Sequence, residues 1–166
     1  MNIEAYTARG REQKQVLTDF LDGLPQPAPA AFEGFVAAAD AMVWRDIDCT
    51  MCANCCKTMT PIFTTADISR IATHLRLSPA AFRKKWLVKN EAGEWGNIAR
   101  PCQFLDGNMC SIYEIRPADC AGFPHHDKKP FDTYKVTFKN NLVHCPATLT
   151  LVERLQKLIE GEIELL

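Results

Sequence analysis

The stretch Cys49-Thr50-Met51-Cys52-Ala53-Asn54-Cys55-Cys56, CTMCANCC, places four thiols in eight residues. Its small and polar residues follow neither the helical nor the strand period, which predicts a loop. Cys49, Cys52 and Cys55 are separated by two residues each. That spacing lets a turning loop aim thiolates at a common point while its backbone N–H groups face inward and stabilise the charge of a thiolate-bound metal. Adjacent Cys55 and Cys56 point in different directions, so they serve two metals, one of them bridges, or one is buried. Cys102, Cys110, Cys120 and Cys145 follow later, and eight thiols would complete two four-thiolate sites.

What surrounds the stretch decides how sulfur is used. The N-terminal MNIEAYTARGREQKQVLTDF is charged throughout and has no apolar core of a secretory leader. AAFEGFVAAADAMVW is interrupted by Glu33 and Asp40, so no run approaches the roughly 18 to 20 apolar residues that span a bilayer. A cytoplasmic location is therefore expected, with no membrane partner. In a reducing compartment disulfides are rare, and dense cysteine reads as metal binding or redox chemistry. With 19 basic and 20 acidic residues there is no summed positive field to draw phosphate backbones, so nucleic acid is not an expected partner. The 166 residues, 47% of them hydrophobic, suit one folded domain.

Outward from the thiols, helices are expected over residues 4–22, ending at Gly23, and over 30–44, with Phe32, Phe35, Val36, Met42 and Val43 for burial. Thr64-Thr65-Ala66-Asp67 reads as a capping box opening a helix over Ile68, Ile71, Ala72 and Leu75. Ser78-Pro79 offers an N-cap and a first-turn proline for another, with Phe82, Trp86 and Leu87 on one side. CQFLDGNMCSIY reads as two brief strands around Asp-Gly, RPADCAGFPHHDKKP as loop, and FDTYKVTFK as a strand. CPATLTLVERLQKLIEGEIELL closes the chain as an amphipathic helix. The fold expected is α+β and mainly α: a small helical domain with a short β-hairpin and cysteine loops.

The order CxxCxxCC at 49–56, then Pro101-Cys102-Gln103-Phe104-Leu105, Cys110-Ser111-Ile112-Tyr113, Arg116-Pro117-Ala118-Asp119-Cys120 and Phe123-Pro124, closely resembles the YkgJ-type cysteine-cluster family, described as zinc- or iron-chelating. The resemblance runs from about residue 45 to 146, leaving flanking helices at either end. It implies a metal-chelating domain whose ligands are Cys49, Cys52, Cys55, Cys56, Cys102, Cys110 and Cys120, with Cys145 a more loosely placed last member. A related domain accompanies flagellin lysine methylases, but no glycine-rich adenosyl-methionine loop is present here and that activity is not carried over.

Thiolates suit zinc and iron-sulfur clusters alike. Cys49, Cys52, Cys55 and Cys145-Pro146 can be laid over the CxxCxxC plus Cys-Pro scheme of bacterial ferredoxins, whereas structural zinc prefers paired CxxC knuckles. An iron-sulfur cluster is the leading expectation, with one or two zinc ions as the alternative. The role expected is electron transfer, metal handling or binding of a protein partner. A metal-dependent enzyme using His125 with Asp119, or a thiol redox protein using Cys55-Cys56, stands as the second alternative. Lys57, Arg100 and Arg116 are candidate donors to sulfur. His125, His126 and His144 are candidate replacements for a thiolate but read first as loop polarity, and His74 reads as structural. Asp119 and Asp127 are candidates to orient ligands, and Tyr113 and Trp95 are expected to shield the site from water.

Overall fold

Helix formation begins with a local cap: the Asn2 side chain accepts a hydrogen bond from the Ala5 N–H at 3.0 Å and opens α1 (Ile3–Gly23). The computed structural model describes residues 1–28 and 30–161. After α1 come α2 (Ala30–Asp46), α3 (Cys49–Cys52), α4 (Asn54–Thr58), α5 (Thr65–His74) and α6 (Pro79–Trp86). Two strand pairs follow, β1 (Leu87–Lys89) with β2 (Trp95–Asn97) and β3 (Leu105–Asp106) with β4 (Met109–Cys110), both antiparallel. A 3-10 turn at Tyr113–Ile115 leads to α7 (Ala118–Gly122), and α8 (Phe131–Asn141) and α9 (Pro146–Ile159) complete the described elements. The fold is α+β and mainly α, as the sequence pattern requires.

The chain divides into two compact units, Met1–Cys49 with Pro124–Leu166, and Thr50–Phe123. The first is a helical assembly in which α9 packs on α1 and α2, and α8 packs on α1 and α9. Its core is Leu17 and Leu21 of α1, Val36, Ala39 and Val43 of α2, Phe138 of α8, and Leu149, Leu151, Val152 and Leu155 of α9. Val36 and Val43 are buried as expected, but Phe35 lies on the outer side of α2 and is 40% exposed. Residues 162–166, included in the C-terminal helix expected from sequence, lie outside the described residues.

Segment FDTYKVTFK, expected as a strand, is helix α8. Its alternation over nine residues is matched by a second pattern, since Phe131, Lys135 and Phe138 fall on one helical face and are buried. Phe131 meets Phe32 edge-on at 4.8 Å and Phe138 at 5.3 Å. A strand among helices would leave its backbone N–H and C=O groups without partners, whereas a helix satisfies its own. Burial on that face therefore overrides the alternation.

In the second unit the capping box forms as read: Thr64 Oγ1 accepts from the Asp67 N–H at 3.1 Å, and Asp67 Oδ2 accepts from the Thr64 N–H at 3.0 Å. Ser78 caps α6 through the Ala81 N–H at 3.1 Å, with Pro79 in the first turn. Phe63, Ile68, Ile71, Ala72, Phe82, Leu87, Phe104 and Ile112 make one core, with Trp86 and Trp95 half-buried against it. The β1–β2 pair was not foreseen, because its strands of three residues are too short to show a period. The β3–β4 hairpin was foreseen; its two loop residues are Gly107 and Asn108, and Gly107 takes a φ of +59°, which glycine adopts without strain. The segment expected as loop around Cys120 contains the short helix α7.

Candidate metal centre

The quoted cysteine stretch is not a loop but two helical turns, α3 and α4, separated by Ala53. Ala53 sits at φ 49°, in the left-handed region, and reverses the chain so that the Asn54 N–H turns back toward the Cys52 sulfur. The same relation recurs twice: the Phe104 N–H faces the sulfur of Cys102, and the Ile112 N–H faces that of Cys110. In each case the donor is two residues beyond its cysteine. Backbone N–H groups aimed at sulfur favour the thiolate and any ion bound to it.

Tertiary contacts then bring these turns together. The Cys102 N–H donates to the carbonyl of Cys56 at 2.8 Å, tying the CxxCxxCC segment to the later cysteines. Cys110 lies opposite Leu105 in the β3–β4 pair, and Cys102 and Cys110 both pack against the unit's hydrophobic core. Cys120 is carried by α7, which Asp67 tethers by accepting the Ala118 N–H at 3.1 Å. Arg70 donates to Asp67 at 2.7 Å and to the Arg116 carbonyl at 2.9 Å, and Asp119 accepts the Ile62 N–H at 3.0 Å. Asp67 is thus both a helix cap and the anchor of a cysteine-bearing turn. The cap was readable from sequence; the tether was not, since its partner lies 51 residues away.

Cys56 is the centre of this group. Its sulfur lies 3.9 Å from that of Cys55. It also interacts electrostatically with Cys52, Cys102, Cys110 and Cys120. Hydrogen bonding from Cys55, opposed by burial and aided by the Lys57 charge, brings the Cys56 pKa down to about 7. Burial pushes the thiols of Cys52, Cys102, Cys110 and Cys120 up, and a charge on Cys56 pushes each further. Neighbouring buried thiols of this kind resist ionising together unless a cation joins them.

The donor chemistry fits a thiophilic metal: soft sulfurs, inward N–H groups and a partly buried floor. Among the described residues no three histidine, cysteine, aspartate or glutamate side chains stand in an arrangement that would hold an ion as they are. Ligation of an ion by these thiols would therefore require them to shift from these positions. Cys52, Cys55, Cys56, Cys102, Cys110 and Cys120 lie in one unit; Cys49, exposed, and Cys145, buried at the N-cap of α9, belong to the other.

The remaining candidates are placed as follows. Lys57 donates to Asn108 Oδ1 at 2.8 Å, and its charge reaches Cys52 and Cys56. Arg116 lies 3.8 Å over the Tyr113 ring and donates to the Tyr113 carbonyl at 2.7 Å, while its charge slightly offsets the burial that pushes the Cys110 thiol up. Arg100 and Asp127 are exposed, and His74 is exposed at the end of α5. Tyr113 is 42% exposed, and the Arg116 guanidinium covers one face of its ring. Both ring nitrogens of His126 are occupied within its own unit, by Asp40 at 2.6 Å and Thr148 at 2.8 Å, so it is not available as a ligand. Sequence reasoning missed Asn97, whose buried side chain accepts at 2.9 Å from Gln103, the residue after Cys102.

Fold and site together define a mainly helical protein with a cysteine cluster built for a thiophilic metal. The chain belongs to the CxxCxxCC family, described as "Putative zinc- or iron-chelating domain", whose model matches residues 48–146. No curated protein and no solved structure matches it. Among the described residues no helix is long and apolar enough to cross a membrane.

Proposed function

We propose that this protein carries an iron-sulfur cluster held by thiolates of residues 50–123 and serves in electron transfer, metal handling or recognition of a protein partner. The observation that carries this reading is the grouping about Cys56 of Cys55, whose sulfur lies 3.9 Å from its own, and Cys102, whose N–H donates to its carbonyl at 2.8 Å, with Cys52, Cys110 and Cys120 within reach of its charge. Six thiols exceed the four that a single tetrahedral ion takes, and inward N–H groups suit the sulfides of a cluster as well as thiolates. Cys56, Cys102, Cys110 and Cys120 are the proposed inner set, with Cys52 and Cys55 beside them. Cys49 and Cys145 are candidate ligands by the sequence pattern alone.

A zinc site is the second reading, favoured by number alone, since the four proposed inner thiols would suffice for a tetrahedral ion. Purification without air, followed by elemental analysis and absorption spectroscopy, separates the two. A brown protein with iron and acid-labile sulfide that bleaches with dithionite is the expected result. A colourless protein holding stoichiometric zinc would replace the first reading with the second, and protein with neither metal would refute both.

A further inference from the structure

The β1–β2 pair has one edge covered and one open. On the far side of β2 the Phe63 N–H donates to the Trp95 carbonyl at 2.8 Å, whereas β1 has β2 as its one strand neighbour among the described residues. The Asn90 N–H donates to the Glu94 carbonyl at 2.9 Å and the Ile98 N–H to the Trp86 carbonyl at 3.0 Å, which fixes the phase of the ladder. In that phase Val88 directs its N–H and C=O toward β2, and Lys89 directs its own outward. Val88 and Lys89 are both exposed.

The two faces of this pair differ in chemistry. Lys89 stands opposite Trp95, and its Nζ lies 5.3 Å from the centre of that ring, with the Arg83 guanidinium 5.9 Å from it. Val88 and Ile98 share the other face and are 50% and 57% exposed. Lys84 and Lys85 of α6, both exposed, add positive charge beside β1. Among the described residues none of Arg83, Lys84, Lys85 and Lys89 forms a salt bridge. Of the carboxylates in the β1–β2 turn, Glu94 is engaged by the Asn90 amide at 3.0 Å.

An open edge with a cationic face and an apolar face fits an extended chain whose side chains alternate between acidic and apolar. A second copy of this edge would bring lysine against lysine, the device by which proteins keep edges from pairing with their own kind. We infer that the α6–β1–β2 face docks an extended acidic segment of a partner protein, added as a further strand beside β1 with its carboxylates toward Lys89 and its apolar side chains toward Val88. The surface needs no metal, so it stands or falls separately from the cluster.

The test is fluorescence anisotropy of the full chain with a short fluorescein-labelled peptide that alternates glutamate and valine. Expected is binding that weakens with added salt and falls about 10-fold in Lys84→Glu/Lys89→Glu. Arg11→Glu/Lys14→Glu on α1 changes the net charge equally at exposed positions and is expected to leave binding unchanged. A peptide of the same composition with its glutamates and valines in separate blocks is expected to bind more weakly than the alternating one. Circular dichroism shows whether the variants are folded, and the two peptides compared on the wild-type chain carry the test if Lys84→Glu/Lys89→Glu is not. No binding of the alternating peptide, equal binding of the block peptide, or an equal loss in the α1 variant would overturn the proposal. So would tighter binding of oligothymidylate, which would point to nucleic acid, or a dimer in sedimentation that Lys84→Glu/Lys89→Glu abolishes, which would make a second copy the occupant.

Discussion

Asp67 is buried to within 1% of its surface and accepts four kinds of hydrogen bond, from the Thr64 hydroxyl and N–H, the Arg70 guanidinium and the Ala118 N–H. Burial alone would push its pKa up, but these donors outweigh it and hold the carboxyl below its usual value. A depressed pKa in the fold means that acid protonates the unfolded chain first. The stabilisation is complete above the unfolded carboxylate value of about 4 and is lost as pH falls through the folded value. Asp67→Asn is expected to lower stability at pH 7 by about 1 to 3 kcal/mol. In urea unfolding the gap to wild type should narrow as pH falls below about 4; a gap independent of pH would contradict this account of the carboxylate. Cys56 is the other decisive residue. Cys56→Ser is expected to purify with almost no metal by elemental analysis, and full stoichiometry in that variant would show that another cysteine is the centre of the group.

At the scale of elements, Gly10 of α1 shows how packing reverses a propensity. An alanine in place of a mid-helix glycine ordinarily stabilises by about 1 kcal/mol. Here the added Cβ would stand 2.5 Å from the Leu142 carbonyl oxygen and 3.2 Å from the Val143 Cα, both backbone, so α1 would have to move. Gly10→Ala is expected to destabilise by about 1 to 3 kcal/mol, read as a lower urea midpoint. An unchanged or higher midpoint would mean that α1 yields more easily than its contacts imply. Elements were legible from sequence where a local interaction defines them. Thr64 with Asp67, Ser78 with Pro79, and Gly107 each act within a few residues, and those helices and that hairpin form where expected. The strand reading of α8 failed because alternation and a helical face coincide over so short a run, and only burial of Phe131 and Phe138 distinguishes them.

At the scale of the molecule, the two units differ in what sustains them. The first rests on long helices with an apolar core, among them α1 with 21 residues and α9 with 14. The cysteine-bearing parts of the second are helical turns of four or five residues and strands of two. Isolated helices below about 12 to 15 residues are marginal in water, so such turns persist through tertiary contacts, and a metal held by their thiols would stabilise them further. Removing metal with a chelator under reducing conditions is expected to speed hydrogen exchange in residues 50–58 and 102–122, while amides of α1, α2 and α9 keep their protection. Equal protection of the cysteine turns with and without metal would show that the metal contributes nothing to their folding.

By itself the sequence determined the chemistry and the local stops and starts: eight thiols in a recognisable order, the capped helices and the tight hairpin. These are properties of residue type and of neighbours within one turn of chain. Only the tertiary structure decided that the CTMCANCC segment is helical, that α8 is not a strand, and that Cys56 sits among thiols contributed by three later segments. It also decided that His126 is spent on Asp40 and Thr148. The reason is physical: groups distant in the chain meet only where burying an apolar face, or satisfying a backbone N–H, brings their segments together, and no local pattern encodes that meeting.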